Sequence, residues 1–246
     1  MDDSEFILPD WPAPPGVCAV TTTRRGGVSR PPHGALNLGA HTRDDPDAVA
    51  ENRRRLCRAL ALPAAPVWLR QVHGTRVVAA HRAEGVPEAD GGWTDQAGFV
   101  CAVLTADCLP VLLCDGRGAR VAALHAGWRG LADGVIEAGI RALGGPCGLM
   151  AWLGPAIGPG AFQVGDEVRA AFLAHDAGAS GSFRSDGPGH WRADLYALAR
   201  RRLAAAGVAA VYGGGFCTHT EAGRFYSYRR DGETGRMATL IWRRAD

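Results

Sequence analysis

Residues 99–153 read FVCAVLTADCLPVLLCDGRGARVAALHAGWRGLADGVIEAGIRALGGPCGLMAWL, and this stretch decides the fold. Its apolar runs at 99–104, 111–114 and 120–124 are short and separated by turn residues, which predicts strands. They lack clean alternation of apolar and polar side chains, so both faces of their sheet are expected to be covered. Residues 131–143 predict a helix and 149–153 a returning strand. Strands mixed with helices in this way point to an α/β architecture.

Outward from this centre, 17–23 predicts a strand, followed by a glycine- and proline-rich loop at 24–34 that carries several arginines. Asp45-Pro46 predicts a helix start, with Asp45 as cap and Pro46 in the first turn. Val49, Leu56 and Leu60 supply its apolar stripe to about Leu62, and Pro63 stops it. Segments 67–72 and 76–80 are strand candidates around Gly74, and 84–92 is turn-like. Further helices are expected at 166–174 and 193–206, and further strands at 208–212, 225–228 and 237–242. The Gly/Ser-rich segment 180–189 is short enough for a surface loop. With no linker and no internal repeat, residues 1–246 are expected to form a single mixed α/β domain.

Composition narrows the function. The 246 residues are 47% hydrophobic and 21% charged, which excludes a wholly disordered chain. Basic and acidic residues number 27 and 25, a net charge of +2, and every basic side chain is arginine. A Schiff-base or phosphate-loop lysine is therefore excluded. The near balance of charge argues against non-specific nucleic-acid binding. Seven cysteines, odd in number and widely spaced, predict free thiols in a reducing, cytoplasmic setting. The acidic start MDDSEFILPD has no apolar signal core, and no apolar run approaches the roughly 20 residues of a membrane span. No heptad pattern specifies an obligate protein partner.

Polar residues gather where apolar runs end: Gln71-Val72-His73-Gly74, Ala106-Asp107-Cys108-Leu109 and Leu124-His125-Ala126-Gly127. Strand ends of an α/β sheet commonly open into a cleft. Two imidazoles and a thiolate suit a catalytic zinc site with a fourth position for water or substrate. The plainer reading makes each histidine structural and Cys108 a small buried hydrophobe. Asp107 has three readings: orienting a ligand histidine, shaping the local field, or capping a turn. The glycines at 74, 127 and 130 permit tight turns or close backbone approach. Arg129 is an anion binder or a surface ion-pair partner. GPAIGPG at 154–160 lacks the dinucleotide fingerprint. Cys217 and His219 are too few to make a second metal site. Residues 224–230 combine aromatics with arginines, suited to a purine or an anion, or to a strand with one packed face.

Taken together, the chain resembles the YfiH-like family, formerly described as multicopper polyphenol oxidases or laccases and also as peptidoglycan editing factors. The phrases that carry the resemblance run in family order: NLG at 37–39, QVHG at 71–74, TADCLPVLL at 105–113, HAGWRG at 125–130, GPAIG at 154–158, CT at 217–218 and SYRRDGETGRMATLI at 227–241. The resemblance implies a CNF-toxin/YfiH-like domain with mixed sheets layered between helices. It implies zinc ligation by His73, Cys108 and His125, with copper as an alternative occupant. It also implies phosphorolysis of purine nucleosides, adenosine and methylthioadenosine among them, and deamination of adenosine. The expected substrate contacts are Asn37, Arg129, Arg229 and Arg230. Two places depart from the family pattern. Residues 160–164 lack its paired cysteines and acidic YEV phrase, and His219 stands where a second cysteine often follows CT.

Other readings compete. Hydrolytic editing of a nucleotide-linked peptidoglycan precursor would use the same metal-activated water. A multicopper oxidase needs more clustered histidines than the eight scattered through this chain. A non-enzymatic binding module requires the three candidate ligands to lie apart.

Overall fold

The computed structural model describes residues 6–244. In chain order the elements are β1 (Phe6–Ile7), β2 (Val17–Thr22), α1 (Pro46–Ala59), β3 (Val77–Ala79), β4 (Gly91–Thr94), β5 (Val100–Thr105), β6 (Leu109–Asp115) and β7 (Val121–Ala126). There follow α2 (Trp128–Asp133), α3 (Val135–Ala142), β8 (Leu149–Leu153), β9 (Gln163–Gly165), α4 (Asp166–Leu173), β10 (Phe183–Ser185) and β11 (His190–Ala193). The chain closes with α5 (Leu195–Ala205), β12 (Ala210–Gly213), α6 (Tyr228–Asp231) and β13 (Met237–Arg243). One sheet has the order β1-β2-β13-β5, a larger one β12-β8-β6-β7-β4-β3, and a small one β10-β11-β9. The larger sheet is mixed: β6 and β7 are antiparallel, whereas β12 runs parallel to β8 and β3 parallel to β4.

The covered faces expected of the central strands follow from two sheets stacked between helices. On β5, Val100, Ala102 and Leu104 pack with Leu56 of α1, while Cys101 and Val103 turn toward the larger sheet. On β6, Leu112 and Cys114 meet that inter-sheet core, while Leu109, Val111 and Leu113 face the layer of α2, α3 and α5. This period-two division on fully buried strands produces the continuous apolar runs seen in the sequence. Asp45 caps α1 as expected, its carboxylate accepting from the Asp47 N–H, and Pro46 opens the helix. All seven cysteines are free thiols. Among the described residues, no helix is long and apolar enough to cross a membrane.

Several elements differ from expectation. The helix expected at 131–143 is two short helices, starting at Trp128 and broken at Gly134, whose φ of 101° is left-handed. At 225–228 there is no strand. Phe225 and Tyr226 are both fully buried, and Ser227 caps α6, its side chain accepting from the Arg230 N–H. Only Val77–Ala79 of the two candidates near Gly74 forms a strand, and Val67 makes an isolated bridge to Cys101. β4 lies partly within the stretch read as a turn. Its glycines are poor strand formers by propensity, yet a Cβ on Gly91 would sit 2.7 Å from Leu124 Cδ2, so close packing requires glycine. The segment 180–189 carries β10 of the small sheet.

Leu112 lies fully buried where the two large sheets meet. Leu112→Ala is expected to lower the unfolding free energy by about 2–5 kcal/mol, measured by urea denaturation.

Candidate metal centre

Pairing of β6 with β7 sets Pro110 opposite His125, so Cys108, just before β6, arrives beside the end of β7. His73 reaches the same place from the loop preceding β3. The ligand atoms of His73, Cys108 and His125 all lie within 4.8 Å of one another. The two imidazole rings stand edge to face with centroids 4.8 Å apart. His125 is buried, Cys108 half-buried and His73 exposed, so the group opens to solvent on the His73 side. Among the described residues no other group of histidine, cysteine and acidic side chains is placed to hold an ion.

The supporting loops are tied to the sheets by polar side chains. The Gln71 amide pairs with the backbone of Leu104: Nε2 donates to the carbonyl (2.8 Å) and Oε1 accepts from the N–H (2.7 Å). The buried Asp90 carboxylate accepts from the N–H groups of Val72 (3.2 Å), His73 (2.9 Å) and Gly74 (2.7 Å). Asp90 Oδ1 also lies 2.8 Å from His125 Nδ1. His73 has φ 62° and Asp107 φ 91°, left-handed backbone that strains a residue with a side chain. Asp107 holds the tail: Oδ1 accepts from Thr218 Oγ1 (2.6 Å) and Oδ2 from the Arg229 N–H (2.7 Å). Of the readings open for Asp107, this geometry is nearest to capping, since its carboxylate takes an N–H from the first turn of α6; the carboxylate beside a candidate ligand is Asp90, which sequence reasoning missed.

Glycine is required twice in HAGWRG. A Cβ on Gly127 would lie 2.6 Å from His73 Nδ1 and 3.2 Å from Cys108 Sγ, and one on Gly130 would lie 2.6 Å from the Gly74 carbonyl. Electrostatics suit an ion here. Burial pushes the Cys108 thiol up, but His125 and His73 outweigh it and hold it below the ordinary thiol range. Burial opposes charge on His125, but the Cys108 thiolate and Asp90 raise it above the ordinary histidine value. Burial also opposes ionisation of Asp90, yet His125 and the backbone donors keep its carboxyl low. A thiolate packed against two imidazoles, in a cradle that a methyl group would fill, fits a metal with mixed N/S preference such as zinc.

The group forms one wall of a cleft of about 730 Å³ that is also lined by His41, Arg53, Trp68, Gln71, Tyr228 and Arg236. Arg53 is anchored on the Leu38 carbonyl through Nε (3.0 Å) and Nη2 (2.9 Å), its guanidinium 4.1 Å from the Trp68 ring centroid. Arg236 is tethered through Nη1 to the carbonyls of Thr234 (2.8 Å) and Gly235 (3.0 Å). Desolvation, then the charges of Arg236 and Arg53, hold His41 below the ordinary histidine value.

The four expected substrate contacts lie outside the lining of this cleft. Asn37 is fully buried; its amide bonds Thr42, Asp44 and the N–H groups of Gly39 and Arg236, bracing the loop before α1. Arg230 spends its five N–H donors on Asp231 and on the carbonyls of Thr218, His219 and Phe225. Arg129 is exposed and stacks on Trp128, with its Cζ 4.4 Å from the ring centroid. Arg229 donates to the Gln163 carbonyl. None of the four lines the cleft. Arg236 was legible in principle, since it lies within the SYRRDGETGRMATLI phrase. Arg53 looks in sequence like one more charge on a surface helix.

Gly127→Ala is expected to abolish stoichiometric zinc uptake, measured by elemental analysis after dialysis. Gly160→Ala, where a Cβ meets nothing within 4 Å, is expected to leave uptake unchanged.

Comparison with known proteins agrees with the fold. The family described as "Multi-copper polyphenol oxidoreductase laccase" matches residues 18–244. A Pseudomonas aeruginosa protein named purine nucleoside phosphorylase is 57% identical over 239 residues, covering 96% of this chain and 98% of its own length. The Escherichia coli purine nucleoside phosphorylase YfiH is 54% identical over 244 residues, covering 97% and 99%. Among solved structures, a Neisseria meningitidis protein superposes with a TM-score of 0.95 at 50% identity, covering 98% of this chain and 100% of that one. YlmD from Geobacillus stearothermophilus gives 0.90 at 33% identity, covering 100% and 98%. Motifs in family order, the α/β layers and these matches agree: the chain belongs to the YfiH family.

Proposed function

We propose that the chain is a zinc-dependent purine nucleoside phosphorylase acting on adenosine and methylthioadenosine, with deamination of adenosine as a second activity. The observation that carries this reading is a single cleft joining a His-Cys-His group to two tethered guanidinium groups and to aromatic walls from Trp68 and Tyr228. The names of the relatives, purine nucleoside phosphorylase at 54–57% identity, support the same reaction class. Free thiols support a reducing, cytoplasmic setting.

Arg53 and Arg236 replace Arg129, Arg229 and Arg230 as the proposed phosphate contacts. Held by backbone carbonyls, they offer directional charge-assisted bonds with little ordering cost on binding. Tyr228 and Trp68 offer aromatic faces to a purine. In phosphorolysis, a phosphate oxygen bonds to the ribose anomeric carbon as the carbon–N9 bond breaks; the base leaves with a proton and the sugar becomes ribose 1-phosphate. The cleft supplies positioning and charge for this step. His41, held below the ordinary histidine value first by burial and then by Arg236 and Arg53, stands at the cleft wall beside these cations. Zinc, when bound by His73, Cys108 and His125, supplies Lewis acidity and lowers the pKa of bound water, the chemistry that deamination requires. The multicopper description fits the residues less well, because only one three-ligand group is found among the described residues.

Zinc-replete protein with phosphate is expected to release adenine and the corresponding ribose 1-phosphate from both nucleosides, and inosine from adenosine in water, resolved by mass spectrometry. Absence of all these products sinks the reading. Amino acid released from a nucleotide-linked peptidoglycan precursor favours editing instead.

Arg53→Ala and Arg236→Ala are each expected to raise the KM for phosphate about 10- to 100-fold, as loss of a charge-assisted hydrogen bond implies. Arg129→Ala is expected to leave it unchanged, measured by initial rates at varied phosphate.

A further inference from the structure

Asp90 is fully buried, and its one carboxylate accepts from the backbone N–H groups of residues 72, 73 and 74 while touching the ring of His125. Two of the three candidate metal ligands are therefore braced by the same side chain. An ionised carboxylate only accepts, so the nitrogen 2.8 Å from Oδ1 must carry a proton. That nitrogen is Nδ1, which leaves Nε2 as the lone pair available to an ion.

The second half of the brace concerns His73. Its φ of 62° puts it in a region that side-chain-bearing residues avoid. Three consecutive N–H groups converging on one carboxylate overdetermine that conformation and fix where the ring leaves the backbone. The His125 backbone N–H also donates to the Asp90 carbonyl (2.7 Å), so both main chain and side chain of Asp90 set His125.

We propose that Asp90 is the positioning residue of the metal centre, selecting the Nδ1-protonated form of His125 and holding the left-handed turn that presents His73. Asp90 does not touch the ion; it acts through the two histidines. The proposal rests on metal occupancy of the site and not on which reaction the site performs.

The first test uses the wild-type protein, labelled with 15N-histidine and loaded with zinc. Nitrogen chemical shifts are expected to show a protonated Nδ1 and a metal-bound Nε2 on His125; metal on Nδ1 overturns the proposal. The second test is Asp90→Asn, in which an amide must replace one acceptor oxygen with a donor. Zinc affinity, measured by competition with a chromophoric chelator, is expected to fall about 10- to 100-fold, the usual cost of losing an outer partner of a metal-bound histidine. The thiolate-to-metal absorption of the cobalt-loaded variant is expected to shift. A folded Asp90→Asn protein with unchanged affinity and an unchanged cobalt spectrum overturns the role of Asp90 while leaving the site itself standing. Wild type that takes up neither zinc nor cobalt overturns the metal centre and this proposal together. Nucleoside turnover enters neither test, so failure of the proposed reaction is read separately.

Discussion

Side chains of two stacked sheets interlock between β5 and β13 on one side and β6, β7 and β8 on the other, with Val103, Leu112, Ala123, Trp152 and Ile241 in the shared core. Burying an unpaired polar group in such an apolar interior is costly. The ligand set therefore sits at strand ends and in adjoining loops: Cys108 just before β6, His125 at the end of β7 and His73 ahead of β3. Register does the rest. The pairing of Pro110 with His125 fixes how far apart the thiol and the imidazole lie, and slipping β6 by one residue would turn Cys108 to the opposite face.

The loops that complete the site are irregular, yet their polar groups are paired. Gln71 copies a strand's hydrogen bonds at Leu104, Asp90 collects three N–H groups, and Asp107 joins the β5–β6 turn to Thr218 and α6. Strained backbone at His73 and Asp107 persists because these contacts overdetermine it. Departures from regular geometry concentrated around one group of side chains are typical of functional sites.

The same packing explains the cleft's charge. Arg53 projects from α1 and Arg236 precedes β13, so the layer of α1 and the four-stranded sheet together supply the cations facing the His-Cys-His group. Each guanidinium is tethered by backbone carbonyls rather than neutralised by a carboxylate, which preserves positive potential toward the cleft. Arg230, by contrast, is paired bidentately with Asp231 and saturated by carbonyls, and serves to clasp the tail.

The amino-acid sequence determined the strand character of the centre, the covering of both sheet faces, the start of α1 at Asp45-Pro46 and the segments that carry the three candidate ligands. Each rests on a local signal: short apolar runs, a capping pair, or polar residues at run ends. Tertiary structure alone decided which arginines face the cleft, that Asp90 rather than Asp107 meets His125, and that 225–228 buries consecutive aromatics instead of forming a strand. The physical reason is range. Asp90 and His125 are 35 residues apart, and Arg53 and Arg236 are separated by most of the chain. Their meeting depends on layer stacking and loop closure, and neither leaves a periodicity in the local sequence.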